Sequence, residues 1–138
     1  MIPVVCALIV ENGKLLIVQH GPASHCSGKW EFPGGKVHSG ETPEEALIRE
    51  ISEELEMDID IIIPLEPANY VYPDKTILLM PFICSGNSGD LMLHEHTRYE
   101  WLYLDDLSRF DLLPADRAIL ENEMNDKKLT SFIQKTHL

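Results

Sequence analysis

Gly34-Gly35-Lys36-Val37-His38-Ser39-Gly40-Glu41-Thr42-Pro43-Glu44-Glu45-Ala46-Leu47-Ile48-Arg49-Glu50-Ile51-Ser52-Glu53-Glu54-Leu55-Glu56-Met57 opens as a glycine-punctuated loop and continues as a helix with a well-marked start. Thr42 is an N-cap type, and Pro43 suits the first helical position because its missing N–H would find no partner there. Glu45 completes a Thr-x-x-Glu capping box, so a helix is predicted from about residue 43. Ala46, Leu47, Ile51 and Leu55 repeat at the spacing of a buried stripe, while Glu50, Glu53 and Glu54 stand at i, i+3 and i+4 and share another face. Carboxylates at these spacings repel one another, by more where water is partly excluded. A hard divalent cation would offset that cost, and magnesium, held by a few carboxylates together with substrate phosphates, fits best. The alternative is a solvated acidic helix face.

The remainder of the chain bounds what that helix serves. Its 138 residues make one domain, 1–138, long enough to bury a sizeable core, and 44% hydrophobic residues suit a soluble globular protein. The net charge of −12 argues against binding nucleic acid polymers, which depends on Lys and Arg at the phosphates, but not against a small nucleotide escorted by a metal. No apolar run reaches membrane-spanning length and no signal-peptide order stands at the amino terminus, so a cytoplasmic protein without membrane contact is expected, as monomer or homodimer. Cys6, Cys26 and Cys84 are too few and too scattered for a disulfide framework. His25-Cys26 and His94-Glu95-His96 contain transition-metal ligand types, but neither has a partner at a usual zinc spacing.

Apolar, β-branched runs at residues 2–10 and 15–18 flank Asn12-Gly13, a hairpin signal. Residues 19–29 read as a loop, 30–32 as a short strand, and 58–63 as a strand stopped by Pro64. Residues 69–72 and 76–84 flank Pro73-Asp74 as a second hairpin, 85–90 read as a loop and 98–104 as a strand. Pro114 starts a helix through about residue 123, and 130–138 read as a short terminal helix. Strands outnumber helices, with the long helix inserted between hairpins, which makes the class α+β.

Gly35, Glu41, Arg49, Glu50, Ile51, Glu53, Glu54 and Met57 fall at the matching positions of G-x5-E-x7-R-E-U-x-E-E-x-G-U, where U is aliphatic, and the stretch thereby resembles the Nudix box. One position departs, because the late glycine is Glu56 here. Trp30-Glu31-Phe32-Pro33-Gly34-Gly35-Lys36, Tyr72-Pro73-Asp74 and Leu113-Pro114-Ala115-Asp116 extend the similarity to the MutT-type branch of pyrophosphohydrolases and its CTP-cleaving relative. The resemblance implies a mixed sheet between helices and hydrolysis of a nucleoside triphosphate, such as 8-oxo-dGTP, to the monophosphate and pyrophosphate. It implies Mg2+, with Mn2+ as substitute, on Glu50, Glu53, Glu54 and the Gly34 carbonyl. Arg49 would orient a catalytic glutamate, or else pair with Glu45 or Glu53 at the surface, and Glu41 would steady the loop.

The family assigns the general base to a box glutamate, here Glu53 or Glu54, or to an acid on a later loop, and Glu95 lies where MutT-type proteins place theirs; the alternative for Glu95 is an exposed loop acid. Lys29, Lys36 and His20 are the candidates for phosphate contact, with His20 standing where the branch has Arg. Phe32, Tyr72 and Asp116 are the candidates for base selection, and Asp116 leaves a cytidine triphosphate as the alternative to 8-oxo-dGTP. A nucleotide-binding module without turnover is the alternative of another class, though such a module has no need of the metal carboxylates and Arg49.

Overall fold

The computed structural model describes residues 1–138 apart from 23, 25, 87–90 and 137–138. Ile2–Glu11 (β1) and Lys14–His20 (β2) form the opening antiparallel hairpin. Its turn has Asn12 at φ 52° and Gly13 at φ 77°, the paired left-handed geometry that matches strand twist. Trp30–Glu31 (β3) and Gly34–Lys36 (β4) lead into the helix Pro43–Leu55 (α1). Ile59–Pro64 (β5), Ala68–Tyr72 (β6), Lys75–Gly86 (β7) and His96–Leu102 (β8) follow, then a 3-10 segment, Leu104–Arg109, and the helices Pro114–Glu121 (α2) and Glu123–Thr136 (α3).

All eight strands belong to one mixed sheet, with the order β3-β2-β1-β7-β5 along its main path. β1 and β7 run parallel; β4 also pairs with β1, β6 with β7 and β8 with β2, all antiparallel. Because side chains alternate along a strand, β1 supplies both faces. Cys6, Leu8 and Val10 pack in the layer that contains Leu107, Ala115, Ile119 and Leu129, whereas Val5, Ala7 and Ile9 meet Ala46, Leu47, Ile51 and Leu55 of α1. Both faces being covered explains why β1 reads as a continuous apolar run. The fold is α+β, a mixed sheet flanked by helices, as the sequence implied.

Several boundaries differ from the expectation. Gly34–Lys36 is a strand, not loop, because Gly34 lies so close to β1 that a Cβ there would stand 1.9 Å from the Val5 carbonyl oxygen. Phe32 falls outside β3, and Gln19 and His20, expected in a loop, belong to β2. β8 begins at His96 and ends at Leu102, held by pairing with β2, which the sequence of a single strand does not report. Ser85 and Gly86 extend β7, and the rest of the expected 85–90 loop lies outside the described residues, as does His25.

The terminal helix begins seven residues before its expected start at 130, at Glu123. Asn122 separates it from α2 in an extended conformation and caps it, its Oδ1 accepting from the Asn125 N–H at 3.0 Å. Asn125 is itself buried, donating from Nδ2 to the carbonyls of Glu66 and Ile119 and accepting from the Glu66 N–H. The polar start of this mostly exposed helix docks on the core because the Asn125 amide found partners 59 residues away.

Candidate active site

The capping box forms as its residues imply: Thr42 Oγ1 accepts from the Glu45 N–H at 3.1 Å and Glu45 Oε1 from the Thr42 N–H at 2.9 Å. That start fixes the phase of α1, which buries Ala46, Leu47, Ile51 and Leu55 and places the glutamates beside β4. Glu54 is 6% exposed, Glu50 is mostly buried and Glu53 stands largely in solvent. Gly35 touches this cluster directly, since a Cβ on it would lie 2.4 Å from the Glu50 carboxyl carbon. Any side chain at position 35 would therefore displace that carboxylate.

Glu54 carries an electrostatic penalty. Its Oε2 is buried without a hydrogen-bond partner, and its pKa is pushed up to about 10, first by burial and then by the Glu50 and Glu95 carboxylates that face it. Glu95 reaches Glu54 although it is exposed on a loop, because the Met92 and His94 N–H groups donate to the Leu55 and Glu54 carbonyls at the end of α1. The His94 ring adds a 2.6 Å contact to Glu56, which occupies the left-handed C-cap at φ 52°.

Arg49 makes its fork to Glu41, not to a helix glutamate. Nε donates to Oε2 at 2.7 Å and Nη2 to Oε1 at 2.8 Å, while single bonds from Nη1 reach Glu50 at 3.0 Å and Glu53 at 3.2 Å. Nη2 also donates to the Lys36 carbonyl. Glu41, which further accepts from the His38 N–H, is held down to about 2 by these bonds, the Arg49 fork foremost. Of the two surface partners that were the alternative for Arg49, Glu53 is bonded and Glu45 is not, because the capping box occupies the Glu45 carboxylate.

A cleft of about 440 Å³ opens beside this cluster. Gly34, Gly35 and Lys36 line its rim, so Gly35 belongs to both the carboxylate cluster and the cleft wall. His20, Phe32, Tyr72 and Asp116 also line it, together with Glu31 and Cys26. Phe32 is 1% exposed and forms a packed wall, leaving the half-buried Tyr72, whose ring lies 4.8 Å from that of Tyr70, as the candidate ring for stacking. Asp116 is buried, accepts from the Phe32 N–H at 2.8 Å, and has its pKa raised well above the usual carboxylate range by burial and by Glu31. A neutral carboxylic acid there keeps one oxygen as acceptor and offers an O–H donor to a ligand edge. Lys29 does not line the cleft; its ammonium bonds Asp111 at 2.8 Å.

One group has no counterpart in the sequence expectations. A register shift between Gln19 and His20 in the β2–β8 pairing sets His20 opposite His96, and Glu31 of β3 lies against both. Among the described residues, His20, Glu31 and His96 form the group of three able to hold a metal ion, with ligand atoms all within 4.8 Å of one another. Burial pushes the Glu31 carboxyl up, but its contacts with both imidazoles outweigh this and hold it below the usual range. The same carboxylate raises the His20 pKa. The local sequence Trp30-Glu31-Phe32 carries no sign of this grouping, because alternation in an extended stretch sets Glu31 on the face opposite its two aromatic neighbours.

The family model for the NUDIX domain matches residues 1–122. The chain is 33% identical over 110 residues to the 8-oxo-dGTP diphosphatase of Escherichia coli K12, covering 80% of this chain and 85% of that protein. It is 34% identical over 121 residues to the CTP pyrophosphohydrolase of the same organism, covering 88% and 90%. A crystal structure of a MutT protein from Methanosarcina mazei Go1 superposes with a TM-score of 0.82 at 29% identity, covering 92% of this chain and 94% of that one. With a NUDIX family model matching most of its length, the chain belongs to the Nudix hydrolase family, related to its 8-oxo-dGTP diphosphatase branch.

Proposed function

We propose that the protein is a magnesium-dependent pyrophosphohydrolase that cleaves a nucleoside triphosphate to the monophosphate and pyrophosphate, with an oxidised purine such as 8-oxo-dGTP as substrate. The observation that carries this reading is the buried, unpartnered Glu54 Oε2 beside Glu50 and Glu95, next to a cleft walled by Gly34 and Gly35. An orphaned carboxylate oxygen among like charges suits a hard cation, and oxygen donors suit magnesium or manganese. Glu50, Glu53, Glu54 and the Gly34 carbonyl would hold the metal, which when bound supplies positive charge to the phosphates and acidifies a ligated water. Arg49 keeps Glu50 and Glu53 in place through single bonds while its fork ties the loop to the helix. Glu95, exposed and close to Glu54, is the carboxylate able to accept a proton from the attacking water. Lys36 contributes positive charge at the rim, Tyr72 stacks the base and Asp116 hydrogen-bonds its edge.

A second reading, CTP or a modified dCTP as substrate, is favoured by Asp116, whose raised pKa and inward position suit a base that presents an acceptor on its Watson–Crick edge. Pyrophosphate release with magnesium from the normal nucleoside triphosphates, 8-oxo-dGTP and 5-methyl-dCTP separates the two by kcat/KM. No turnover of any of these, alongside measurable binding, would leave a nucleotide-binding module.

A further inference from the structure

We propose that His20, Glu31 and His96 form a second metal site, distinct from the box carboxylates and selective for a borderline transition-metal ion such as Zn2+ over magnesium. Two imidazoles and one carboxylate are a zinc-type donor set, whereas magnesium prefers oxygen donors and retains its waters. Glu31 Oε2 lies 2.8 Å from His20 Nε2 and 3.0 Å from His96 Nε2. His20 Nε2 is buried, and its close polar neighbour is this Glu31 oxygen. A proton can satisfy one ring nitrogen against this carboxylate, but a cation can be shared by all three donors, whose ligand atoms lie within 4.8 Å of one another.

The site is also built into the framework. The three residues sit on β2, β3 and β8, strands joined in one ladder, and the His96 side chain is only 5% exposed. Tetrahedral zinc with bonds of roughly 2.0–2.1 Å needs ligand atoms about 3.4 Å apart, so the group must open by about half an ångström. Rotation about the side-chain torsions of the partly exposed His20 and Glu31 supplies this without moving the sheet. Three protein donors leave a fourth position, and His20 and Glu31 both line the cleft, so that position faces a ligand there. An ion so held supplies positive charge that does not depend on protonation, as that of an imidazole does, and takes an anionic oxygen of the cleft ligand as fourth donor.

The test uses the whole chain stripped of metal and titrated with zinc alone, without nucleotide. One equivalent of Zn2+ is expected to shift the imidazole 15N signals of His20 and His96 and leave those of His38 and His94 in place. Calorimetry should show the same event surviving both excess Mg2+ and Glu53→Gln, and weakened at least about tenfold in His96→Gln and in Glu31→Gln, each checked for folding by its thermal transition. Displacement of zinc by magnesium, insensitivity to both variants, or failure of His20 and His96 to shift in the wild-type chain would each overturn the site and leave Glu31 as a hydrogen-bonded clamp. These readouts do not depend on turnover, so the site stands or falls separately from the triphosphatase reading.

Discussion

Arg49 grips Glu41 with two parallel bonds of 2.7 and 2.8 Å, joining the glycine loop to the glutamate helix across eight residues. A guanidinium makes such a fork and an ammonium cannot, so Arg49→Lys is a severe change at this position. Arg49→Lys is expected to lower kcat/KM for pyrophosphate release by about 10–100-fold, or about 1.4–2.7 kcal/mol, mainly through kcat. A change below twofold would show that the loop holds its place without the fork.

Glu54 makes the metal-free protein sensitive to alkali. Its folded pKa of about 10 lies above the ordinary 4.5, so the folded state retains a proton that the unfolded state has lost. Stability from this group is fully present below about pH 4.5 and is lost as pH rises toward 10. Urea unfolding in EDTA should therefore show Glu54→Gln more stable than wild type at pH 8, by about 1 kcal/mol or more, with the difference shrinking toward pH 5. Magnesium should reverse the order at pH 8. An unchanged difference between the two pH values would rule out Glu54 as the titrating group.

Glu56 holds φ at 52°, where a non-glycine residue bears roughly 1–2 kcal/mol of strain. Its ion pair with His94 is half exposed on both sides and worth about 0–1 kcal/mol. Glu56→Gly is expected to leave turnover intact and to raise the unfolding midpoint slightly. Loss of most of the activity would instead mean that tethering the Glu95 loop to α1 depends on this pair.

Asp116→Asn keeps an acceptor for the Phe32 N–H but removes the acidic O–H from the cleft. The ratio of kcat/KM for 8-oxo-dGTP to that for 5-methyl-dCTP should change at least about tenfold, the size of one base-edge hydrogen bond. A constant ratio would place base selection elsewhere.

Asn125→Ala should cost about 2–4 kcal/mol, read from the denaturant midpoint at unchanged m-value. It leaves two carbonyls and one N–H around Glu66 and Ile119 without their buried partner. A loss under 1 kcal/mol would mean that water replaces the amide.

The sequence by itself determined the helix start, the apolar stripe, the first hairpin and the carboxylate spacing, because these are local. Thr42 and Glu45 meet within one helical turn, Asn12-Gly13 selects its turn through backbone sterics, and the box glutamates follow the helical period. Tertiary structure alone decided what each charged group faces. Lys29 was drawn off to Asp111, Phe32 was sealed into the wall, and Asn125 found partners far along the chain. The His20, Glu31 and His96 group comes from three strands whose register, including a shift at His20, is set by packing across the whole sheet. Short-range sterics write periodicity into the sequence, whereas strand pairing and burial depend on which distant faces exclude water together.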